Sequence, residues 1–479
     1  MKKIFLYLVP VLAILAGCTK NISSYNNPTK APSVVPPGPV FTYAVKQLVD
    51  GNADCAVSIN IFRHIVEHWG QATNEDGAQY SFNIDNTCDN WWNRLYVPVL
   101  SNLKTCDSLL VLNQQLQAAA VVRNERTIVD IMEVYAFNEL VNSFGNVPYS
   151  QALNYNILTP VYDDAKTIHQ DLQKRLTADI AALDPTQGSF AATEDLFYGG
   201  VVSKWVAFAN TLQIKIAMTL ADVDDADART IMQTNNAKAF QSPATDAIWQ
   251  YLAVPNNNPT YQALVLSGRS DYVATTKLIN TLVSMSDPRL PSFFGTNTTG
   301  QYAGAYIGST AVFASVSKPA AALQLATTPY VFMDYMDLEF YRAEAIERGY
   351  NIPGTAEQHY DSAIALSIRY WGGTQAQVNT YLARPDVAYT TAAGTWRQKI
   401  GFQKWLALYC RGFDGYTELR RFDWPTMDVP TGAVSGFPNR MTYPATIYTE
   451  QGLNGANYTK AAAAMGGDKA TFKLYWDIF

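Results

Sequence analysis

The chain has 479 residues, 48% hydrophobic and 16% charged, the composition of a globular protein with ample core material rather than a disordered or fibrous one. Its formal net charge is −6, from 35 Lys and Arg against 41 Asp and Glu, and it contains no basic run. Nucleic acids and anionic membrane surfaces reward dense positive charge, so neither is an expected partner.

Lys2 and Lys3 open the chain, Ile4 to Leu15 form a short apolar run, and Leu15-Ala16-Gly17-Cys18 closes it. That order is a secretory signal, too short to span a bilayer. A cysteine directly after Leu-Ala-Gly is also the bacterial lipobox pattern. Residues 1–17 are therefore expected to be a signal peptide, with Cys18 carrying the lipid after cleavage. Several acyl chains at about 0.8 kcal/mol per buried methylene hold a protein to a bilayer durably. Removing Lys2 and Lys3 takes the charge from −6 to −8.

Residues 18–39, rich in Asn, Ser and Pro, read as an extended tether ending near Pro36, Pro37 and Pro39. A single large domain is expected over 40–479, with no later run of about twenty apolar residues. Helical spacing links Ile61, Ile65 and His68-Trp69, and again Leu95, Val99, Leu103 and Leu109-Leu110. A helix over about 120–143 closes at Phe144-Gly145-Asn146-Val147-Pro148. Further helices are expected near 163–182, 199–222, 330–349, 355–371 and 396–411.

Within these, Ala343-Glu344-Ala345, Gly349, Ala356, Tyr360, Ala363 and Ile364 have the small-residue and turn pattern of a tetratricopeptide-like hairpin. Helix pairs near 90–143 and 163–222 read as weaker copies. Long loops are expected over 240–328, above all the Gly/Thr/Tyr-rich stretch 295–317, and over 425–468. Loops of that length in a compact domain usually carry function. Cys55, Cys88, Cys106 and Cys410 remain besides Cys18, as one or two disulfides or as buried thiols.

The chain is 13% aromatic, with 29 Tyr and 10 Trp. Tyr and Trp build surfaces that are apolar on the face and polar at the edge, which suits sugar rings. His64-Ile65-Val66-Glu67-His68 spells the H-x-x-E-H order of inverted zinc proteases, with Glu67 as general base. No third ligand motif accompanies it, so zinc hydrolysis through His64, Glu67 and His68 is the alternative reading rather than the first. The acidic pairs Asp334/Asp337 and Asp163/Asp164 keep a glycosidase within that alternative. No cofactor is expected, with a structural calcium ion the one addition considered. No nucleophile elbow or phosphate-binding loop occurs.

A set of landmarks in order carries a resemblance. They are the lipobox, Trp91-Trp92 with Leu95-Tyr96, and Phe144-Gly145-Asn146-Val147-Pro148-Tyr149, followed by Asp195-Leu196-Phe197-Tyr198-Gly199-Gly200. Lys204-Trp205, Asp287-Pro288-Arg289-Leu290, Arg342-Ala343-Glu344-Ala345, Gln403-Lys404-Trp405 and Arg420-Arg421 follow. Together they resemble the SusD/RagB nutrient-binding outer-membrane lipoproteins of Bacteroidetes, in the SusD-like 2 branch.

The resemblance implies a mainly α fold, a tetratricopeptide-like helical hairpin scaffold with a loop-rich, irregular binding face. It implies a binding protein rather than an enzyme, anchored in the outer membrane and probing the cell exterior. Such a protein captures an oligosaccharide or peptide and delivers it to a SusC-type TonB-dependent β-barrel. Thr19-Lys20-Asn21-Ile22-Ser23 lack the acidic cluster that marks surface export in some relatives. Carried onto this chain, the ligand surface falls on Trp69, Tyr80, Phe82, Asn83 and Asp85, and on Tyr302, Tyr306 and Phe313. Arg342, Glu344, Arg420 and Arg421 are expected to form structural ion pairs.

Overall fold

The first helix, α1 (Pro37–Ala53), opens on Pro37 and carries Pro39 in its first turn. The amides there have no intrahelical partner, so proline forfeits nothing. The helix thus takes in residues expected in the tether. It buries Phe41, Ala44, Val45, Leu48 and Val49, the spacing of one helical stripe. A computed structural model describes residues 35–479 apart from Asn83 and Glu450; the signal segment and Cys18 lie outside the described residues.

The helix expected to run from Ile61 to Trp69 is interrupted. Only α2 (Phe62–Ile65) forms, and Glu67 turns the chain with φ 54°. The Thr275 hydroxyl donates to the Glu67 carbonyl at 2.5 Å, and the Glu67 carboxylate accepts the Asp428 amide. Both partners are remote in sequence, so tertiary bonds hold a backbone state that local propensity disfavours. The chain then enters β1 (Trp69–Gln71), antiparallel to β5 (Tyr272–Ala274).

Helix α3 (Thr87–Leu112) runs through Pro98, which it absorbs in a wider-turned stretch over Leu95–Leu100. Helix α4 (Ala119–Phe144) ends at Gly145, whose φ is 84°. A Cβ at Gly145 would sit 2.5 Å from the Met465 sulfur, so the turn needs glycine for space as well as angle. The short β2 (Val147–Pro148) and β3 (Tyr162–Asp163) pair next, then α5 (Ala165–Ala182), α6 (Val202–Thr219) and α7 (Asp225–Asn235) follow. Residues 330–333 are a strand rather than the start of a helix. This strand, β6 (Tyr330–Met333), pairs antiparallel with β4 (Ala247–Trp249).

Asp334 then caps the next helix by accepting the Asp337 amide at 3.1 Å. The remaining principal helices are α8 (Thr276–Ser284), α9 (Tyr335–Glu347), α10 (Ala356–Tyr370), α11 (Gln375–Leu382), α12 (Trp396–Ala407), α13 (Gly412–Phe422) and α14 (Gln451–Ala464). Helix α14 falls inside the C-terminal stretch expected to be irregular. Thr355/Gln358, Thr374/Gln377 and Thr395/Gln398 form capping boxes on α10, α11 and α12. Each satisfies two orphan amides, and a good N-cap contributes about 1 kcal/mol.

Helices α9 and α10 form the expected hairpin, with Gly349 at φ 77° in the turn and Ala343, Ala345 and Ala363 fully buried between them. Consecutive helices α3/α4, α4/α5 and α5/α6 also pack side by side. The tetratricopeptide-like helical scaffold is therefore the observed architecture.

Its interior holds a web of paired charges. Lys404 meets Asp337 at 2.9 Å, and Arg411 meets Asp334 at 2.8 Å and Asp414 at 2.6 Å, while Lys215 also pairs with Asp414. Arg342 pairs with Glu339 at 2.5 Å and Arg421 with Glu344 at 2.7 Å, as expected. Arg420 departs from that expectation. It donates to the carbonyls of Asn142 (2.9 Å) and Asn439 (2.8 Å) and lies over the rings of Tyr416 and Trp476. Cys55, Cys88, Cys106 and Cys410 are free thiols.

Candidate functional site

Three irregular segments, 72–82, 303–317 and 428–437, are tied together by main-chain bonds. Ala311 donates its amide to the Ala72 carbonyl at 2.9 Å, Thr431 to Ile307 at 3.0 Å and Val434 to Gln79 at 3.0 Å. The Gln79 side-chain amide adds a bond to the Gly308 carbonyl at 2.9 Å. At Gly308, with φ 74°, a Cβ would lie 2.5 Å from the Thr431 carbonyl oxygen, so only glycine permits this approach. Ala72, Val273, Ala305 and Val316 form a small apolar centre beneath, with Phe313 packed on it.

A second anchor is Asp271, buried at the end of β1 and β5. Its carboxylate accepts from Gln71 Nε2 (3.0 Å), the Thr73 amide (3.0 Å) and hydroxyl (3.1 Å), and Arg269 (2.7 Å). On the neighbouring α8, Lys277 reaches Asp428 at 2.8 Å. The loops are thus held mainly by backbone and by a few polar anchors. Several of their side chains are free: Tyr306 is 70% exposed, and Val312, Val429 and Val434 are exposed near it in the chain-crossing segments.

The residues expected to contact ligand divide sharply. Tyr306 is exposed, while Asp85, Tyr302 and Phe313 are half-buried, with the Lys318 ammonium 4.9 Å from the Phe313 ring. Tyr80 and Phe82 are nearly buried and line a depression of about 380 Å³ with Val434, Thr442 and Thr471. Tyr80 stands edge-on to Phe437, their rings 6.3 Å apart. Asn83 lies outside the described residues.

Trp69 corrects the expectation: it is fully buried and offers no face to a ligand. Its indole N–H donates to the Tyr409 hydroxyl at 2.8 Å, and the Arg63 guanidinium lies 4.9 Å from its ring. The β1–β5 pairing carries Trp69 into the core, where helical spacing had placed it beside a surface loop. Val312, Val429 and Val434 were not singled out from the sequence, because nothing local marks an isolated valine in a loop as exposed.

The H-x-x-E-H motif does not build a metal centre. Helix α2 stops at Ile65, so the two imidazoles do not share one helical face. His68 Nε2 meets the Trp405 carbonyl at 2.9 Å, and the Glu67 carboxylate is engaged by the Asp428 amide. Burial drives the His64 pKa down to about 4 and that of His68 to about 3, and pushes Glu67 up to about 7. Among the described residues no group of three or more His, Cys, Asp or Glu is placed to hold a metal ion. The acidic pairs are structural as well. Asp163 accepts the amides of Tyr149 (3.0 Å) and Ser150 (2.7 Å), Asp164 caps α5, and Asp334 and Asp337 belong to the buried charge web.

Comparison with known proteins adds the family. The SusD-like 2 model, described as starch-binding and associating with the outer membrane, matches residues 29–444. No curated protein matches the sequence. Among solved structures, a chitin-binding protein is 26% identical and superposes with a TM-score of 0.79, over 92% of this chain and 100% of its own. A SusD-like protein of Bacteroidetes, 19% identical, gives 0.80 over 93% of this chain and 100% of its own. A chitin-binding SusD homologue from Flavobacterium johnsoniae, 20% identical, gives 0.77 over 92% and 98%. The last two likenesses concern the fold alone.

Proposed function

This chain belongs to the SusD-like 2 family, and from that membership we propose that it is a lipid-anchored receptor that binds an oligosaccharide at the cell surface and delivers it to a SusC-type TonB-dependent barrel. The family is one of outer-membrane-associated binding proteins, and that match over most of the chain is the observation carrying the proposal. The lipobox pattern that ends in Cys18 supports the same reading.

The binding surface is the irregular face. Tyr306 supplies an exposed ring for stacking on a sugar, with the half-buried Tyr302 and Phe313 in the same stretch of chain and Tyr80, Phe82 and Asp85 along the adjoining loop. No bond is broken; the ligand is held by stacking and hydrogen bonds.

Two of the fold relatives bear the name chitin-binding, so β-linked N-acetylglucosamine oligomers are the first ligands to assay. Titration calorimetry with chitohexaose, maltohexaose and a mixed peptide pool tests the ligand class. Binding of one glycan, weakened by Tyr306→Ala, supports the reading, and binding of peptide alone replaces glycan by peptide cargo. A mild-detergent pull-down from the native envelope tests the partner: a TonB-dependent barrel in near-equal amount is expected, and clean recovery of this chain alone overturns the delivery role.

A further inference from the structure

A cavity of about 1030 Å³ opens beside the α9–α10 hairpin and shares no lining residue with the three segments of the irregular face. It matches the upper end of the size range of small-molecule sites. Its walls are largely apolar and aromatic, formed by Leu325, Tyr330, Leu366, Tyr370, Trp371 and Tyr409. Tyr370 and Leu325 are about half-exposed at its mouth, beside the exposed Arg369.

Arg63 lines the same cavity and is 1% exposed. One of its terminal nitrogens donates to the Ala53 carbonyl at 2.7 Å, while Nε and Nη1 have no acceptor. It forms no ion pair among the described residues, whereas the equally buried Lys404, Arg289, Arg411 and Arg421 each have a carboxylate. The groups that face it are the thiols of Cys55 and Cys410 and the phenols of Tyr330 and Tyr409, with Asp54 the carboxyl in electrostatic range. Burial pushes the Cys410 thiol up to about 11 and the Tyr409 phenol well above its usual range, so these thiol and phenol neighbours do not neutralise the guanidinium at pH 7.

The packing around Arg63 is close. A Cβ at Gly412, the first residue of α13, would lie 2.7 Å from the Arg63 stem, and the Trp69 ring lies 4.9 Å from the guanidinium. The side chain is thus held in place with two donors unmet, a costly state for a buried charge. The cavity's own carboxyls do not oppose an incoming anion. Asp334 is paired with Arg411 at 2.8 Å, and burial beside Asp334 lifts Asp246 to about 8.

We propose that this cavity is a second binding site, for an amphiphilic organic anion whose apolar body lies against Tyr370, Trp371 and Leu325 and whose carboxylate or equivalent oxyanion pairs with Arg63. A neutral glycan is a poor occupant, since its many hydroxyls would be desolvated against apolar walls with few partners.

A matched pair of fluorescent probes tests this on the whole protein. 8-Anilinonaphthalene-1-sulfonate and N-phenyl-1-naphthylamine share a ring skeleton and differ in the sulfonate. The anionic probe is expected to bind one-to-one, at least tenfold tighter than the neutral one, and to be displaced by decanoate. Tyr370→Ala should weaken both probes several-fold while leaving glycan binding unchanged. Arg63→Met should abolish the preference for the anion and leave the neutral probe bound as before. Equal affinity for the two probes, failure of decanoate to compete, or unaltered binding by Tyr370→Ala overturns the proposal. Should Arg63→Met not fold, the probe pair on the native chain and the Tyr370 variant still decide it.

Discussion

The α9–α13 region and the irregular face satisfy their polar groups in opposite ways. In the former, side chains do the binding: Asp414 alone joins Lys215 and Arg411, and Glu344 joins Arg421 and Arg348. In the latter, main chain binds main chain, as at Ala311–Ala72, Thr431–Ile307 and Val434–Gln79. The consequence is a division of labour. Side chains of the charge web cannot change without stranding a buried ion, while those of the face, Tyr306 foremost, are released from holding the fold and are available to a ligand.

The largest effect that sharpens this contrast is expected inside the web. Asp414→Ala leaves Lys215 and Arg411 short of a buried partner and should destabilise the protein by about 3–5 kcal/mol. Urea unfolding measures it, and a loss below about 1 kcal/mol would mean that the web is dispensable.

Trp69→Ala should cost a similar amount, about 3–5 kcal/mol, because a fully buried indole and its hydrogen bond to Tyr409 are both removed. That outcome separates Trp69 from the ligand surface. A stable variant with weakened glycan binding would return it there.

A smaller effect is expected from pH. Burial raises the folded pKa of Glu67 from 4.5 to about 7, so its contribution to stability is complete below 4.5 and lost as pH rises through 7. Glu67→Gln removes this dependence. The variant should gain on the native protein between pH 5 and 8, by up to about 3 kcal/mol, as read from paired unfolding curves. A constant difference across that range would show the carboxyl to be solvated.

The smallest effect on folding lies on the face. Tyr306→Ala should change stability by less than about 0.5 kcal/mol, as for exposed positions generally. Glycan affinity should fall by about tenfold, or about 1.4 kcal/mol. Equal losses in stability and binding would erase the contrast between the two regions.

Local signals accounted for much of the scaffold. Phe144-Gly145-Asn146-Val147-Pro148 ends α4 as read, because the positive φ of Gly145 and the proline behind it are properties of the segment itself. The Ala343/Ala345/Ala363 pattern marks the α9–α10 hairpin for the same reason: small residues at helical spacing are a local record of close packing. Spacing failed where distant segments intervene. The break at Glu67 depends on Thr275 and Asp428, and the strand at Tyr330 depends on Ala247–Trp249.

The sequence by itself therefore determined the helical class, the hairpin, the order of family landmarks and the expectation of a lipid-bearing Cys18. The tertiary structure alone decided which aromatics face outward. Both Trp69 and Tyr306 read in the sequence as candidate ligand-facing aromatics, yet pairing of β1 with β5 buries one, while the other stays at the surface in the loop held by the approach of Gly308 to Thr431. It also decided that Arg63 stands beside an open cavity with no ion-pair partner among the described residues. Periodicity is a property of neighbours along the chain, whereas burial and charge pairing are settled between residues hundreds of positions apart, such as Gln71 and Asp271.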